Sequence, residues 1–207
     1  MKNTLSQRNI NRLTQYYTIL RDYSKKDIKN ITSSQISALL GVDETQVRKD
    51  VKLINCKGKC KVGYNVAELK SIIEDILDYK VIKNTFVIGA GNLGIALAKY
   101  SKFCEFGLNI AALFDIDKNK IGNSINDKMI YSLDELPEMV KTMGINIAIL
   151  TTPNKVAQET CDYLVKSKIK YIWNFAPSIL KVPHDVKIWH ENLIGSFIQF
   201  CAIENIS

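Results

Sequence analysis

The run VIGAGNLGIALAKY, residues 87–100, constrains the fold more than any other stretch of this 207-residue chain. Gly89, Gly91 and Gly94 form G-x-G-x-x-G, behind an apolar strand-like segment and ahead of a helical one. In that context each glycine has a physical task. The first permits a tight turn, the second lets a pyrophosphate approach the backbone, and the third lets the helix pack closely on the strand. The start of the following helix, through Ala90, Asn92 and Leu93, offers free N–H groups and a favourable dipole to phosphate. Asp115 closes the next apolar run, 21 residues after Gly94. An acidic side chain there takes the ribose hydroxyls of a dinucleotide and repels a 2′-phosphate, which favours NAD(H) over NADP(H).

The surrounding rhythm agrees. From residue 84 on, NTFVIG, NIAALFD, KMIY, NIAILTT and YIWNFA are short apolar runs, with helical stretches expected at 91–103, 133–143 and 154–167. That alternation predicts a doubly wound, mostly parallel sheet with helices on both faces, an α/β Rossmann-like domain over 84–190. Ligands of such sheets lie at the carboxyl ends of the strands. Thr151, Thr152 and Pro153, and then Asn174, Phe175, Ala176 and Pro177, are therefore candidates to line the nicotinamide half.

What precedes residue 84 is different in kind. Residues 1–84 carry 16 Lys/Arg and 9 Asp/Glu, a net of +7, whereas residues 85–207 carry 12 of each. A basic module joined to a neutral one suits a polyanionic partner. Leu5, Ile10, Leu13, Tyr16, Tyr17 and Leu20 recur near helical spacing. Thr32, Ser33 or Ser34 can cap a short helix that Gly41 ends, and Asp43 can cap the next. Two short helices about a glycine turn describe a helix-turn-helix. Gln46, Arg48, Lys49 and Lys52 sit on its second helix, where Gln can pair with adenine and Arg or Lys with guanine. NCKGKCKVGYNV, residues 55–66, reads as the hairpin of a winged helix. Lys57, Lys59 and Lys61 then alternate along a strand toward the phosphates, which hold register without reading sequence. Residues 1–83, including a linker helix at AELKSIIEDILDYK, form the expected DNA-binding domain.

Other classes fit poorly. No apolar run approaches the roughly 18 residues of a membrane helix, and MKNTLSQRNINRL is too polar for a signal peptide. Five scattered cysteines suit reduced thiols and a cytoplasmic setting. Cys56 and Cys60 could sense oxidation or bind metal, but two thiols without a nearby Cys/His pair fall short of a structural zinc site, and no metal is expected. A hydride-transfer enzyme needs a substrate site and usually a proton donor. The only histidines, His184 and His190, lie near the end of the chain. The last segment reads as one helix, with Leu193, Phe197, Phe200 and Cys201 or Ile203 apolar, and no substrate domain is expected.

In that order and at that length, the chain resembles the Rex family of redox-sensing transcriptional repressors. The resemblance spans nearly the whole chain and rests on QVRKD at 46–50, VGYNV at 62–66, the Gly89–Gly94 turn, FDID at 114–117 with Lys120 and Gly122, and NFAP at 174–177. It implies a homodimer that binds double-stranded operator DNA when NAD⁺ dominates and releases it when NADH rises. It also implies that Lys120 belongs to the cofactor site and that no residue is catalytic. A C-terminal dimerisation helix, residues 191–207, would swap between the partner's two domains.

The chain departs from the family pattern in two places. Leu53, Ile54 and Asn55, then Cys60 and Lys61, stand where relatives carry an aromatic pair with glycine and a wing arginine. Glu191-Asn192 stands where relatives carry an Asp-Phe pair. Two other readings remain: an NAD(P)-dependent oxidoreductase with an accessory basic domain, and a divergent DNA-binding regulator with a weakened redox switch.

Overall fold

The structure, a computed structural model, describes residues 5–78 and 80–204. The chain divides into two compact units, Met1–Val81 and Ile82–Ser207.

In the first unit, Ser6 caps α1 (Gln7–Lys25) by accepting the Asn9 N–H at 3.2 Å. The helix buries Leu13, Tyr16, Tyr17 and Leu20, the apolar stripe expected from the sequence. A short β1 (Asn30–Ile31) follows, which the sequence pattern does not announce. Thr32 caps α2 (Ser33–Leu40), and Gly41 ends it in the left-handed conformation, φ 64°. Asp43 caps α3 (Glu44–Leu53), which buries Val47, Asp50 and Val51. β2 (Tyr64–Asn65) pairs antiparallel with β1 and leads into α4 (Val66–Leu77), which packs on α1. Ile31, Ile36, Val47, Leu69 and Ile73 complete the core around Leu13 and Tyr16. Gly63 is required where it stands: its φ is +91°, and a Cβ there would lie 2.4 Å from the Ile31 carbonyl oxygen.

The wing is a shorter hairpin than expected: Lys59 and Gly63 exchange N–H···O bonds of 2.8 and 2.9 Å. Among the described residues between α3 and β2, the antiparallel pairing is limited to one isolated bridge, Lys59 to Gly63. Asn55 and Lys61 have φ of 59° and 61°. Left-handed residues interrupt extended backbone, so Lys57, Lys59 and Lys61 do not alternate along one strand. They are nevertheless all exposed.

The second unit is a seven-stranded sheet of order β5-β6-β4-β3-β7-β8-β9. Its strands are β3 (Lys83–Ile88), β4 (Leu108–Asp115), β5 (Ser124–Ile125), β6 (Lys128–Ser132), β7 (Ile147–Leu150), β8 (Tyr171–Asn174) and β9 (Lys187–His190). All pairings are parallel except β5 with β6. α5 (Asn92–Lys99) packs on one face with Val87, Leu113, Ile149 and Ile130. α6 (Leu136–Met143) and α7 (Asn154–Lys166) cover the other, over Phe86, Phe114, Leu150 and Ile172. α5 is shorter than the expected 91–103 helix because Tyr100 leaves helical geometry, and a 3-10 turn, Ser101–Phe106, replaces its end. α8 (Leu193–Glu204) closes the described chain; the expectation that the helix continues through residues 205–207 lies outside the described residues. Among the described residues no helix is long and apolar enough to cross a membrane.

Candidate functional site

In this strand order the chain crosses over beside β3, so a crevice opens between the carboxyl ends of β3 and β7. The Gly89–Gly94 turn lies at that point. Gly89 has φ +101°, and a Cβ on it would meet the Thr151 backbone at 3.2 Å. A Cβ on Gly94 would fall 2.0 Å from the Gly89 carbonyl oxygen. Gly91 is the opposite case, with nothing within 4 Å of where its Cβ would be. Packing therefore demands the outer glycines, while the middle one faces open space. Gly91 is also the N-cap of α5 and no side chain caps the helix, so the first N–H groups, from Asn92 onward, are left for an anion. Thr152 Oγ1 and Ser178 Oγ, at the ends of β7 and β8, are buried without a hydrogen-bond partner among the described residues. Bare helix N–H groups, an open glycine and orphaned hydroxyls fit a dinucleotide laid across the strand ends.

Asp115 is tied directly to the turn. Its Oδ2 accepts from the Ala90 N–H at 2.8 Å and from Lys120 Nζ at 3.2 Å, and its Oδ1 accepts from the N–H groups of Ile116 and Asp117. Burial works against its charge, but the N–H groups of Asp117 and Ala90 and the Lys120 ammonium outweigh it and hold the carboxyl below the usual range. Thr151 Oγ1 donates to the Gly89 carbonyl at 2.8 Å, which fixes the turn against β7.

Asn174 is placed differently from the expected ligand-facing role. It is fully buried, and its Oδ1 accepts the Ala176 N–H at 2.9 Å. Its Nδ2 lies 2.9 Å from the Ser178 carbonyl and 3.0 Å from His190 Nδ1. The side chain organises the 174–178 loop from within and ties it to His190 on β9. Phe175 packs on Trp173 with ring centroids 4.8 Å apart, while Pro153 and Pro177 are exposed at the rim. His184 is exposed in a loop.

In the first unit, Arg48, Lys49 and Lys52 are exposed on α3, with Lys57, Lys59 and Lys61 on the wing. Gln46 is committed elsewhere: its Nε2 donates to Asp50 Oδ1 at 2.8 Å. Asp50 is the hub of a network the sequence pattern hides. Arg12 donates to both its oxygens at 2.5 and 2.7 Å, Tyr16 through its hydroxyl at 2.8 Å, and Asn9 at 3.3 Å. Burial would raise the Asp50 carboxyl, but the bonds from Arg12, Tyr16 and Gln46 hold it low. Arg48 pairs with Glu44 at 2.5 Å, an exposed pair that contributes little to stability. An acid between Lys49 and Lys52 in an otherwise basic stretch is the sequence signal that points to this hub.

Burial pushes the Cys56 thiol up to about 11, so it is protonated and inert, while Cys60 is exposed. Among the described residues no group of three or more His, Cys, Asp or Glu is placed to hold a metal ion.

Known proteins share both halves. Residues 4–51 match the family described as putative DNA-binding protein N-terminus, and residues 80–178 match the CoA binding domain family. The redox-sensing transcriptional repressor Rex of Caldanaerobacter subterraneus subsp. tengcongensis is 40% identical over 195 residues, 94% of this chain and 87% of that protein. Rex of Clostridium botulinum strain Hall is 36% identical over 99% of this chain and 97% of its own. The crystal structure of RSP with beta-NAD+ and operator DNA matches with a TM-score of 0.90 at 37% identity, covering 97% of this chain and 93% of that one. RSP with beta-NADH matches with a TM-score of 0.89 at 37% identity, over 98% and 95%. With a Rossmann-like sheet, a helix-turn-helix and relatives at this identity over nearly its full length, the chain belongs to the Rex family of redox-sensing transcriptional repressors.

Proposed function

We propose that this protein is a transcriptional repressor that senses the NADH/NAD⁺ ratio, binding operator DNA as a homodimer and letting go when NADH binds. The observation that carries the reading is the cradle: an open Gly91 between two packing glycines, with Asp115 bound to the turn behind it. RSP, a solved relative, has been crystallised with beta-NAD+ and operator DNA and with beta-NADH. The Rex relatives are named as repressors, and the chain is a regulator rather than an enzyme.

The residues divide the work as follows. Gly89 to Gly94 and the start of α5 hold the pyrophosphate. Asp115, with Lys120 beside it, would hold the ribose hydroxyls. Thr151, Thr152 and Pro153, with the 174–177 loop, border the nicotinamide. When bound, the cofactor supplies a ring whose charge and pucker change with reduction. It can shift DNA affinity only by as much as it discriminates between two geometries of the protein. Arg48, Lys49 and Lys52 meet the DNA from α3, and Lys57, Lys59 and Lys61 meet it from the wing.

The dimer is supported by α8. Leu193, Ile194, Phe197, Ile198 and Phe200 are each more than half exposed in the single chain. A helix apolar on all sides belongs inside a larger assembly, and a second copy of this chain supplies that interior. A repressor of chromosomal operators works in the cytoplasm. The test is a binding titration with a duplex selected by the wild-type protein from a random pool, run with saturating NAD⁺ and with saturating NADH. Weaker binding with NADH is expected; equal binding overturns the sensor reading.

A further inference from the structure

Gln46 is the third residue of α3, and its side chain is half-buried. Its Nε2 donates to Asp50 Oδ1 at 2.8 Å. Its Oε1 takes no hydrogen bond among the described residues. One end of the amide is therefore anchored and the other is open.

The chemistry of the hub sets which end is which. Asp50 Oδ1 also accepts from Arg12 at 2.7 Å and from Asn9 at 3.3 Å, and Oδ2 accepts from Arg12 and Tyr16. Every partner of this carboxylate is a donor. Burial opposes the Asp50 charge, but the bonds from Arg12, Tyr16 and Gln46 outweigh it, and the carboxyl is ionised at neutral pH. An ionised carboxylate can only accept, so an amide turned end for end would set oxygen against oxygen. A free glutamine presents either its oxygen or its nitrogen, whereas this one is held with the oxygen open. Anchoring also removes side-chain freedom before a ligand arrives, which lowers the cost of binding.

The place of Gln46 gives the open oxygen a role. In a helix-turn-helix the second helix enters the major groove, and its N-terminal residues meet base edges. There adenine N6 and cytosine N4 donate, whereas guanine O6 and N7 and thymine O4 accept. An open carbonyl matches the first pair and opposes the second set. Lys49, exposed nearly one turn further on, can only donate and matches the opposite set.

We propose that Gln46 Oε1 is a specificity-determining acceptor of α3, oriented by Asp50, which selects a base carrying an exocyclic amino group in the major groove, adenine or cytosine. That role rests on the DNA-binding reading above and adds the polarity of one contact. Asp50 is the positioning residue: it touches no base and acts through the amide that it orients.

The test uses the full-length protein with NAD⁺ and the duplex selected by the wild type. Each adenine is replaced in turn by purine, which lacks the 6-amino group, and each cytosine by 2-pyrimidinone, which lacks the 4-amino group. These two arms tell the bases apart, and any change in duplex stability cancels between protein variants. At one position the wild type should lose about tenfold in affinity, while Gln46→Met, which keeps the length and drops the acceptor, should lose nothing there. Gln46→Glu, which offers only acceptors, should keep the loss. Asp50→Asn can donate as well as accept, so it frees the amide to turn and should shrink the loss to about threefold or less. Wild type and Gln46→Met responding alike at every position would make Gln46 a structural tie and overturn the proposal. A Gln46→Glu protein indifferent to the amino group would show that the amide nitrogen does the reading, and also overturn it. Asp50→Asn with the full loss would overturn the positioning role; where that variant does not fold at the assay temperature, the two Gln46 variants decide. A wild type that selects no duplex overturns the DNA-binding reading itself, an outcome distinct from tight binding that ignores the amino groups.

Discussion

The backbone N–H of Ala90 donates to Oδ2 of Asp115 across 2.8 Å, so the residue proposed to read the ribose also holds the glycine turn. Lys120 shares the same oxygen at 3.2 Å. Asp115→Ala should therefore do two things. It should narrow the preference for NAD(H) over NADP(H), because the carboxylate no longer repels a 2′-phosphate, and it should weaken both cofactors, because the turn loses its tie. Calorimetric titration of both cofactors into wild type and variant checks this. An unchanged ratio would mean that Asp115 does not face the ribose.

The glycines make a sharper contrast. Gly91→Ala meets nothing within 4 Å, so the protein should fold with wild-type stability. NADH affinity should nevertheless fall by about tenfold or more, since a methyl group stands where the pyrophosphate approaches the backbone. Gly94→Ala puts a carbon 2.0 Å from the Gly89 oxygen. It should cost more than about 3 kcal/mol, because backbone on both sides must shift. Urea unfolding paired with calorimetry distinguishes the two. A destabilised Gly91→Ala protein would show that its space is already filled.

Asp50 links stability to pH. Its carboxyl is lowered in the folded chain, so its contribution is fully present above the ordinary value of about 4 and is lost as pH falls through the lower native value. Asp50→Asn should cost about 3 kcal/mol near neutrality, at the low end for a buried pair, because Arg12 keeps some contact with water. The gap between wild type and variant should shrink as the pH drops below 4, measured by urea unfolding across that range. A gap independent of pH would mean that shape, not charge, holds the hub. Gln46→Ala should likewise reduce stability, whereas Lys49→Ala should weaken DNA binding and leave stability unchanged.

Phe197→Asp with Ile194→Asp should leave the second unit folded and abolish the proposed dimer, since both side chains are more than 60% exposed in the single chain. Sedimentation at micromolar concentration checks the expectation. A variant that remains dimeric would place the interface away from α8.

Sequence alone determined the elements whose causes are local. The periodicities of α1 and of the β-α-β run, the caps at Thr32 and Asp43, and the left-handed end at Gly41 each depend on residues a few positions apart. The glycine turn and Asp115 were legible for the same reason, since their spacing follows from one strand, one turn and one helix. The assignment of individual side chains came only with tertiary structure. Gln46 reads from the sequence as a base contact, but the fold brings Asp50 and Arg12 together across 38 positions and draws Gln46 into the hub. Asn174 reads as a ligand contact, yet it is buried under its own loop and bonded to His190 on the next strand. The wing lysines were expected along a strand, but left-handed backbone at Asn55 and Lys61 interrupts it. Propensities and spacings act over one or two turns of chain, whereas a polar side chain commits itself to whichever partner folding leaves within three ångströms, and that choice is made by packing between segments far apart in sequence.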